Sequence, residues 1–218
     1  MHDCFDIIDH WVFDLDETLY SPDINLFDEI KILMNKFMQE ELNITQNQAS
    51  KLRHHYWQKY GTTLAGLMAE HDLKPEPFLE YVHDISLDAL EPDAELNNVI
   101  NAINGAAIVY TNGTEHHARR VTTARGLDGC FHGYFGVEHA NYIPKPNKAA
   151  FETIFALANI EPKRGIIFED DPRNLVQPHL MGMRTVLVGP AIDAPYIDHQ
   201  TTDLTGFLRE INTTNQGT

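Results

Sequence analysis

The sequence predicts an α/β fold: a parallel sheet with helices on both faces and an all-helical segment inserted after the first strand. Three observations carry this. Short apolar runs ending in polar residues recur at 10–14, 106–110, 165–168 and 185–188. Helical patterning separates the later runs from one another. Between the first run and the second, from 21 to 99, the patterning is helical throughout. The arrangement is Rossmann-like. It divides into an α/β core domain of 1–20 and 100–218, and a helical cap domain of 21–99.

Taken in order, His10-Trp11-Val12-Phe13-Asp14 reads as a buried strand delivering carboxylates at its C-terminal edge. Leu26, Ile30, Leu33, Phe37 and Leu42 then recur at helical steps. Thr45 and Gln48 form a capping box for a helix carrying Ala49, Leu52, Tyr56 and Trp57, which Gly61 closes. Two shorter helices are expected near 63–71 and 76–83. Ala106-Ala107-Ile108-Val109-Tyr110 is a second buried strand, broken by Thr111-Asn112-Gly113, with a helix from about 115 to Gly126. A short strand at 134–137, a helix at 147–159 and a strand at 165–168 follow. A helix from Asn174 to Met181 and a strand at 185–188 complete the alternation. Beyond Pro190 the only signal is a short helix near 203–211.

Composition narrows the function. The chain has 218 residues, 43% of them hydrophobic, enough for a substantial core, and a formal charge of −16. That charge argues against a nucleic acid polymer as partner. No apolar run reaches the ~20 residues that cross a bilayer, and Met1-His2-Asp3-Cys4 has no signal-peptide character. Cys4 and Cys130 make no disulfide framework, so a reducing cytoplasm is expected, with the chain a monomer or homodimer. An anionic substrate would need local positive charge, which a metal ion and a lysine could supply.

The polar residues at the strand ends are the candidates, since ligands of open parallel sheets bind there. Asp14 and Asp16, two apart past a strand, suit a magnesium site, although Asp-x-Asp pairs are also common in surface loops. Thr111, Asn112 and Gly113 before a helix suit phosphate oxygens, or form an ordinary turn and cap. Lys145, between Pro144 and Pro146, could neutralise a phosphate, or be a surface lysine. Glu169, Asp170 and Asp171 offer a second metal-binding edge, or a favourable charge at a helix start.

Taken together, the order Asp-x-Asp, Thr, Lys, acidic pair resembles the haloacid dehalogenase-like hydrolase superfamily over essentially the whole chain. Phe13-Asp14-Leu15-Asp16-Glu17-Thr18-Leu19 is similar to its first motif, and Thr111-Asn112-Gly113, Lys145-Pro146 and Phe168-Glu169-Asp170 to the later three. The resemblance implies an aspartyl-phosphate mechanism with Mg2+. Asp14 would be nucleophile and metal ligand. Asp16 would be acid and base, with its backbone carbonyl on the metal. Thr111 and Asn112 would hold the phosphoryl group, with Lys145 offsetting charge. Asp170 would be a further metal ligand, and Glu169 would act directly or through water. The family's dehalogenases lack the second acid, so Asp16 favours phosphate chemistry. Asp171 departs from the small residue common at its position.

Stretches at 11–20, 60–67, 81–85 and 168–175 are similar to the pyrimidine 5′-nucleotidase branch. That implies a nucleoside monophosphate such as UMP or CMP as substrate. Tyr60, Thr62, Thr63, His83 and Asp84 are the cap residues expected to face it; helix capping and a surface histidine are the ordinary alternatives. A phosphosugar or phosphoglycolate phosphatase, or a mutase, is the rival within the superfamily. A catalytically silent binding protein is the rival outside catalysis.

Overall fold

The computed structural model describes residues 5–215, so Met1 to Cys4, on which the leader reading rests, lie outside the described residues. Six parallel strands form one sheet: β1 (His10–Phe13), β2 (Ala106–Tyr110), β3 (Gly133–Phe135), β4 (Gly165–Glu169), β5 (Arg184–Val188) and β6 (His199–Thr201). Their order is β3-β2-β1-β4-β5-β6, so the chain steps outward on one side of β1 and then crosses to the other. β1 is therefore flanked by β2 and β4, and the crevice at its carboxyl end is where such sheets bind ligands.

Register brings the site together. Phe13 pairs with Val109 on one side and with Phe168 on the other. Asp14, Tyr110 and Glu169 therefore leave three adjacent strands at one level. The strands are apolar because both faces are covered, and Trp11, Phe13 and Phe168 stack beneath that level, the last two at 4.7 Å.

The helical block consists of α1 (Leu26–Leu42), α2 (Gln46–Tyr60), α3 (Thr63–His71) and α4 (Pro75–Val82). Thr45 and Gln48 form the expected capping box. α2 packs closely on α3 because residue 66 is glycine; a Cβ there would lie 2.2 Å from the Tyr56 ring. One apolar cluster runs from Trp11 and Phe13 through Leu19 and Leu26 to Phe37, Tyr56 and Phe78, so sheet and helical block share a core.

α5 (Ala94–Asn101) packs on α9 (Leu204–Asn215), with the Asn212 amide donating to the Val99 carbonyl at 3.0 Å. By packing, α5 belongs with the sheet, and we propose to set the end of the cap before Asp93. Elsewhere α6 (Glu115–Ala124), α7 (Lys148–Leu157) and α8 (Val176–Leu180) separate the strands. The helix expected from Asn174 begins instead as a 3₁₀ turn at Pro172–Leu175, where Pro172 sits at a position needing no N–H. The tail holds an edge strand, β6, and a helix longer than 203–211.

Candidate active site

The site is built on buried charge. Lys145 is 1% exposed; its ammonium donates to Asp14 Oδ1 at 2.6 Å, to Glu169 Oε2 at 2.6 Å and to the Tyr110 carbonyl at 3.1 Å. Those acceptors leave β1, β4 and β2 at the common level. The surface-lysine reading of Lys145 is thereby excluded, because each ammonium donor has a buried acceptor. Burial lowers and the two carboxylates raise the lysine's affinity for its proton, and the carboxylates prevail.

Asn112 fixes the lysine's backbone. Its Oδ1 accepts from Lys145 N–H at 2.8 Å and its Nδ2 donates to Lys145 C=O at 3.2 Å. Thr111, 2% exposed, accepts the Gly113 N–H through Oγ1 at 2.9 Å, shaping the turn that precedes α6.

Oxygens of Asp14, Glu169 and Asp170 lie within 4.8 Å of one another. Burial, and then Glu169, push the Asp14 carboxyl well above its usual range. Burial, and then Glu169 and Asp14, push Asp170 up to about 10. Three carboxyl groups around one ammonium resist full ionisation without a cation, and hard oxygen donors in this density fit magnesium. Asp171 does not join them. Its carboxylate is held by Arg173 at 2.5 Å, while Arg173 donates to the Trp57 carbonyl at 3.0 Å and stacks over the Trp57 ring at 3.5 Å. The Asn174 amide donates to Glu169 Oε1 at 3.1 Å, steadying the carboxylate that pairs with Lys145.

Asp16, close enough to Asp14 to act on its charge, has partners of its own. His117 Nε2 lies 3.1 Å from Asp16 Oδ1, and the Tyr20 hydroxyl donates to the same oxygen at 2.7 Å. Burial raises the Asp16 carboxyl, but His117 and Tyr20 together hold it below its ordinary value. The His117 ring is fully buried and stacks on His83 at 4.2 Å. Burial, with His117 alongside, pushes His83 down to about 3, so its imidazole is neutral.

The expected cap residues divide into two sets. The Tyr60 hydroxyl donates to Glu70 at 2.7 Å, and Thr62 caps α3 by accepting from Ala65 N–H. Thr63 is buried at the first turn of α3. Their turn nonetheless sits on the lysine loop: a Cβ on Gly61 (φ +91°) would lie 3.0 Å from the Lys145 carbonyl and 3.2 Å from Pro146. His83 and Asp84 instead line a cavity of about 530 Å³ between the end of α4 and the start of α6, with Thr114, His116 and Arg120. Asp14, Asp16, Glu169 and Asp170 are not part of its lining.

Sequence reasoning missed His117, Tyr20 and Arg173. His117 carried a signal: it shares the buried face of α6 with Ala118, Val121 and Thr122.

The family model for haloacid dehalogenase-like hydrolases matches residues 8–175, spanning every strand-end group just described. The chain belongs to that family. Its curated relatives include phosphate metabolism protein 8 of Saccharomyces cerevisiae, 26% identical over 193 residues; the match covers 80% of this chain and 60% of that protein's length. Among solved structures, the HAD-hydrolase YfnB of Bacillus subtilis, bound to magnesium, superposes with a TM-score of 0.64 at 15% identity, covering 94% of this chain and 99% of that one. The HAD phosphatase of Thermococcus onnurineus gives 0.58 at 18%, covering 94% and 97%. The L-2-haloacid dehalogenase of Xanthobacter autotrophicus gives 0.59 at 12%, covering 94% and 98%. At these identities the neighbours establish the fold, and they span both dehalogenases and a phosphatase.

Proposed function

We propose that the protein is a magnesium-dependent phosphomonoester hydrolase, acting on pyrimidine nucleoside 5′-monophosphates through an aspartyl-phosphate on Asp14. The observation that carries the phosphatase reading is the tethered Asp16. A carboxyl fixed by two donors beside the nucleophile serves a leaving group that needs a proton, which an alkoxide does and a halide does not. The name of the yeast relative and the Thermococcus phosphatase agree with phosphate chemistry. The magnesium in the Bacillus neighbour agrees with the metal.

Asp14, Asp170 and Glu169 would hold the ion, which when bound supplies charge neutralisation for the phosphoryl oxygens. An Asp14 oxygen forms its bond to phosphorus as the ester P–O bond breaks, and the leaving oxygen takes its proton from Asp16, which is ionised in the free protein and takes up that proton as the phosphate brings negative charge beside it. Asp16, now a carboxylate, accepts a proton from water, whose oxygen attacks the phosphorus of the aspartyl-phosphate and regenerates Asp14. Lys145 keeps Asp14 oriented and offsets its charge throughout. Thr111 and the backbone at Asn112 cradle the phosphoryl group.

Nucleoside monophosphates, sugar phosphates and phosphoglycolate assayed side by side with magnesium test the reading. The expected result is pyrimidine turnover above the others; background pyrimidine turnover beside fast sugar-phosphate hydrolysis overturns the substrate. Asp14→Asn should lower turnover by at least about 10⁴-fold with the fold intact; undiminished activity overturns the mechanism.

A further inference from the structure

The 530 Å³ cavity exceeds the ~300 Å³ at which small-molecule sites begin, and its lining includes Thr114, the residue that follows the Thr111-Asn112-Gly113 turn. A Cβ on Gly113 would lie 3.3 Å from both His83 Nε2 and Thr111 Oγ1, so the His83 imidazole, which lines the cavity, and the Thr111 hydroxyl pack against the same glycine. His83 is 8% exposed, and its Nε2 has no hydrogen-bond partner among the described residues.

The lining is unbalanced in charge. Glu76, Glu80, Asp84 and Glu138 stand against one guanidinium, Arg120. That guanidinium is committed to the carbonyls of His83 and Ile85, at 2.7 and 2.9 Å. Glu138 Oε1 accepts the Glu115 N–H at 2.8 Å, but its Oε2 is buried without a donor. Glu80 and Asp84 make no ion pair among the described residues. Among the described residues the lining thus offers acceptors in excess, and its one guanidinium is already committed.

We propose that this cavity receives the non-phosphate part of the substrate and selects uncharged, hydrogen-bond-donating groups, rejecting monoesters that carry a carboxylate or second phosphate there. The inference rests on the phosphatase reading of Asp14 and extends it to a substrate class. A hydroxyl, ring N–H or amino group satisfies the acceptors, whereas a second anion meets four carboxylates against a single guanidinium.

The test compares kcat/KM for pairs of similar shape: UMP against orotidine 5′-monophosphate, which adds one carboxylate, and glycerol phosphate against phosphoglycerate. The full chain is used with magnesium, and p-nitrophenyl phosphate reports phosphatase activity itself. The expected result is at least about tenfold preference for the uncharged member. In E80Q/D84N the preference should shrink roughly threefold or more, and E80K/D84K or added salt should shrink it further. Equal kcat/KM within each wild-type pair overturns the proposal. So does a preference that neither the glutamine/asparagine nor the lysine variants move, since that marks rejection by shape. If p-nitrophenyl phosphate is hydrolysed while the pairs stay level, the cavity reading alone fails. If no monoester is hydrolysed, the phosphatase reading fails and this one with it.

Discussion

His117 Nε2 sits 3.1 Å from Asp16 Oδ1, with the imidazole fully buried. The His83 ring stacks on that imidazole, and the Tyr20 hydroxyl donates to the same Asp16 oxygen. Asp16 is thereby held in one orientation. His117→Ala should cost about 10²-fold in kcat/KM on nucleoside monophosphates, the low end for a displaced general acid. p-Nitrophenyl phosphate, whose leaving group departs without a proton, should lose far less. An equal loss on both substrates would assign His117 a purely structural role.

Among the described residues, Lys145 is the one ammonium paired with Asp14 and Glu169. Removing it in Lys145→Met leaves two buried carboxylates facing each other, a loss of about 3–5 kcal/mol in stability by urea unfolding. The deficit should narrow as pH falls and the Asp14 carboxyl takes up a proton. A deficit that is small at neutral pH, or that widens on acidification, contradicts this account.

The raised Asp170 carboxyl sets a pH dependence for the metal-free protein. The folded state keeps this proton up to about pH 10, while the unfolded chain releases it near the ordinary carboxylate value. Between those limits the unfolded state binds fewer protons, so stability falls as pH rises. Magnesium takes the proton's place. Its thermal stabilisation should therefore be larger at pH 8 than at pH 5, reaching about 2.7 kcal/mol at a hundred times Kd. Equal shifts at both pH values would remove Asp170 from the metal site.

His83 works in the opposite window. Its folded value is about 3 against 6.5 in the free imidazole, so its contribution is intact above pH 6.5 and lost as pH falls toward 3. His83→Leu should flatten the acid limb of the stability curve measured by denaturant titration. An unchanged limb would mean that other groups govern acid unfolding.

Arg173 joins the acidic loop to the helical block through Asp171 and Trp57. Arg173→Ala and Asp171→Ala should each cost on the order of 1 kcal/mol, and the double variant little more than either alone. Additive losses in that cycle would show the two side chains to be independent.

How much of this was legible in sequence follows from what each residue depends on. Asp14, Thr111, Lys145 and Glu169 lie beside apolar runs or stiffened loops, and parallel pairing puts the ends of such runs at one level. Their meeting needed only the register. His117 depends on which helix covers α6 and which loop supplies its acceptor, and neither is local. β6 reads His-Gln-Thr, with no apolar run, because an edge strand of three residues is held by pairing with Val186–Val188 and not by burial. α5 has the helical patterning of the cap, and its packing on the distant α9, which no local pattern announces, is what supports our placing it with the core. Tyr60 and Thr62 were singled out by motif position, yet their hydroxyls satisfy Glu70 and the first turn of α3.

The apolar cluster that passes unbroken from Trp11 to Tyr56 bears on how the protein can be re-engineered. Excising the helical block to expose the sheet as a bare scaffold would cut through a shared interior. A graft from another member of the family would have to bring complementary side chains for that interior, together with a new seat for the Arg173 guanidinium. Loops at the rim can be exchanged piecemeal; this block transfers only as a matched half.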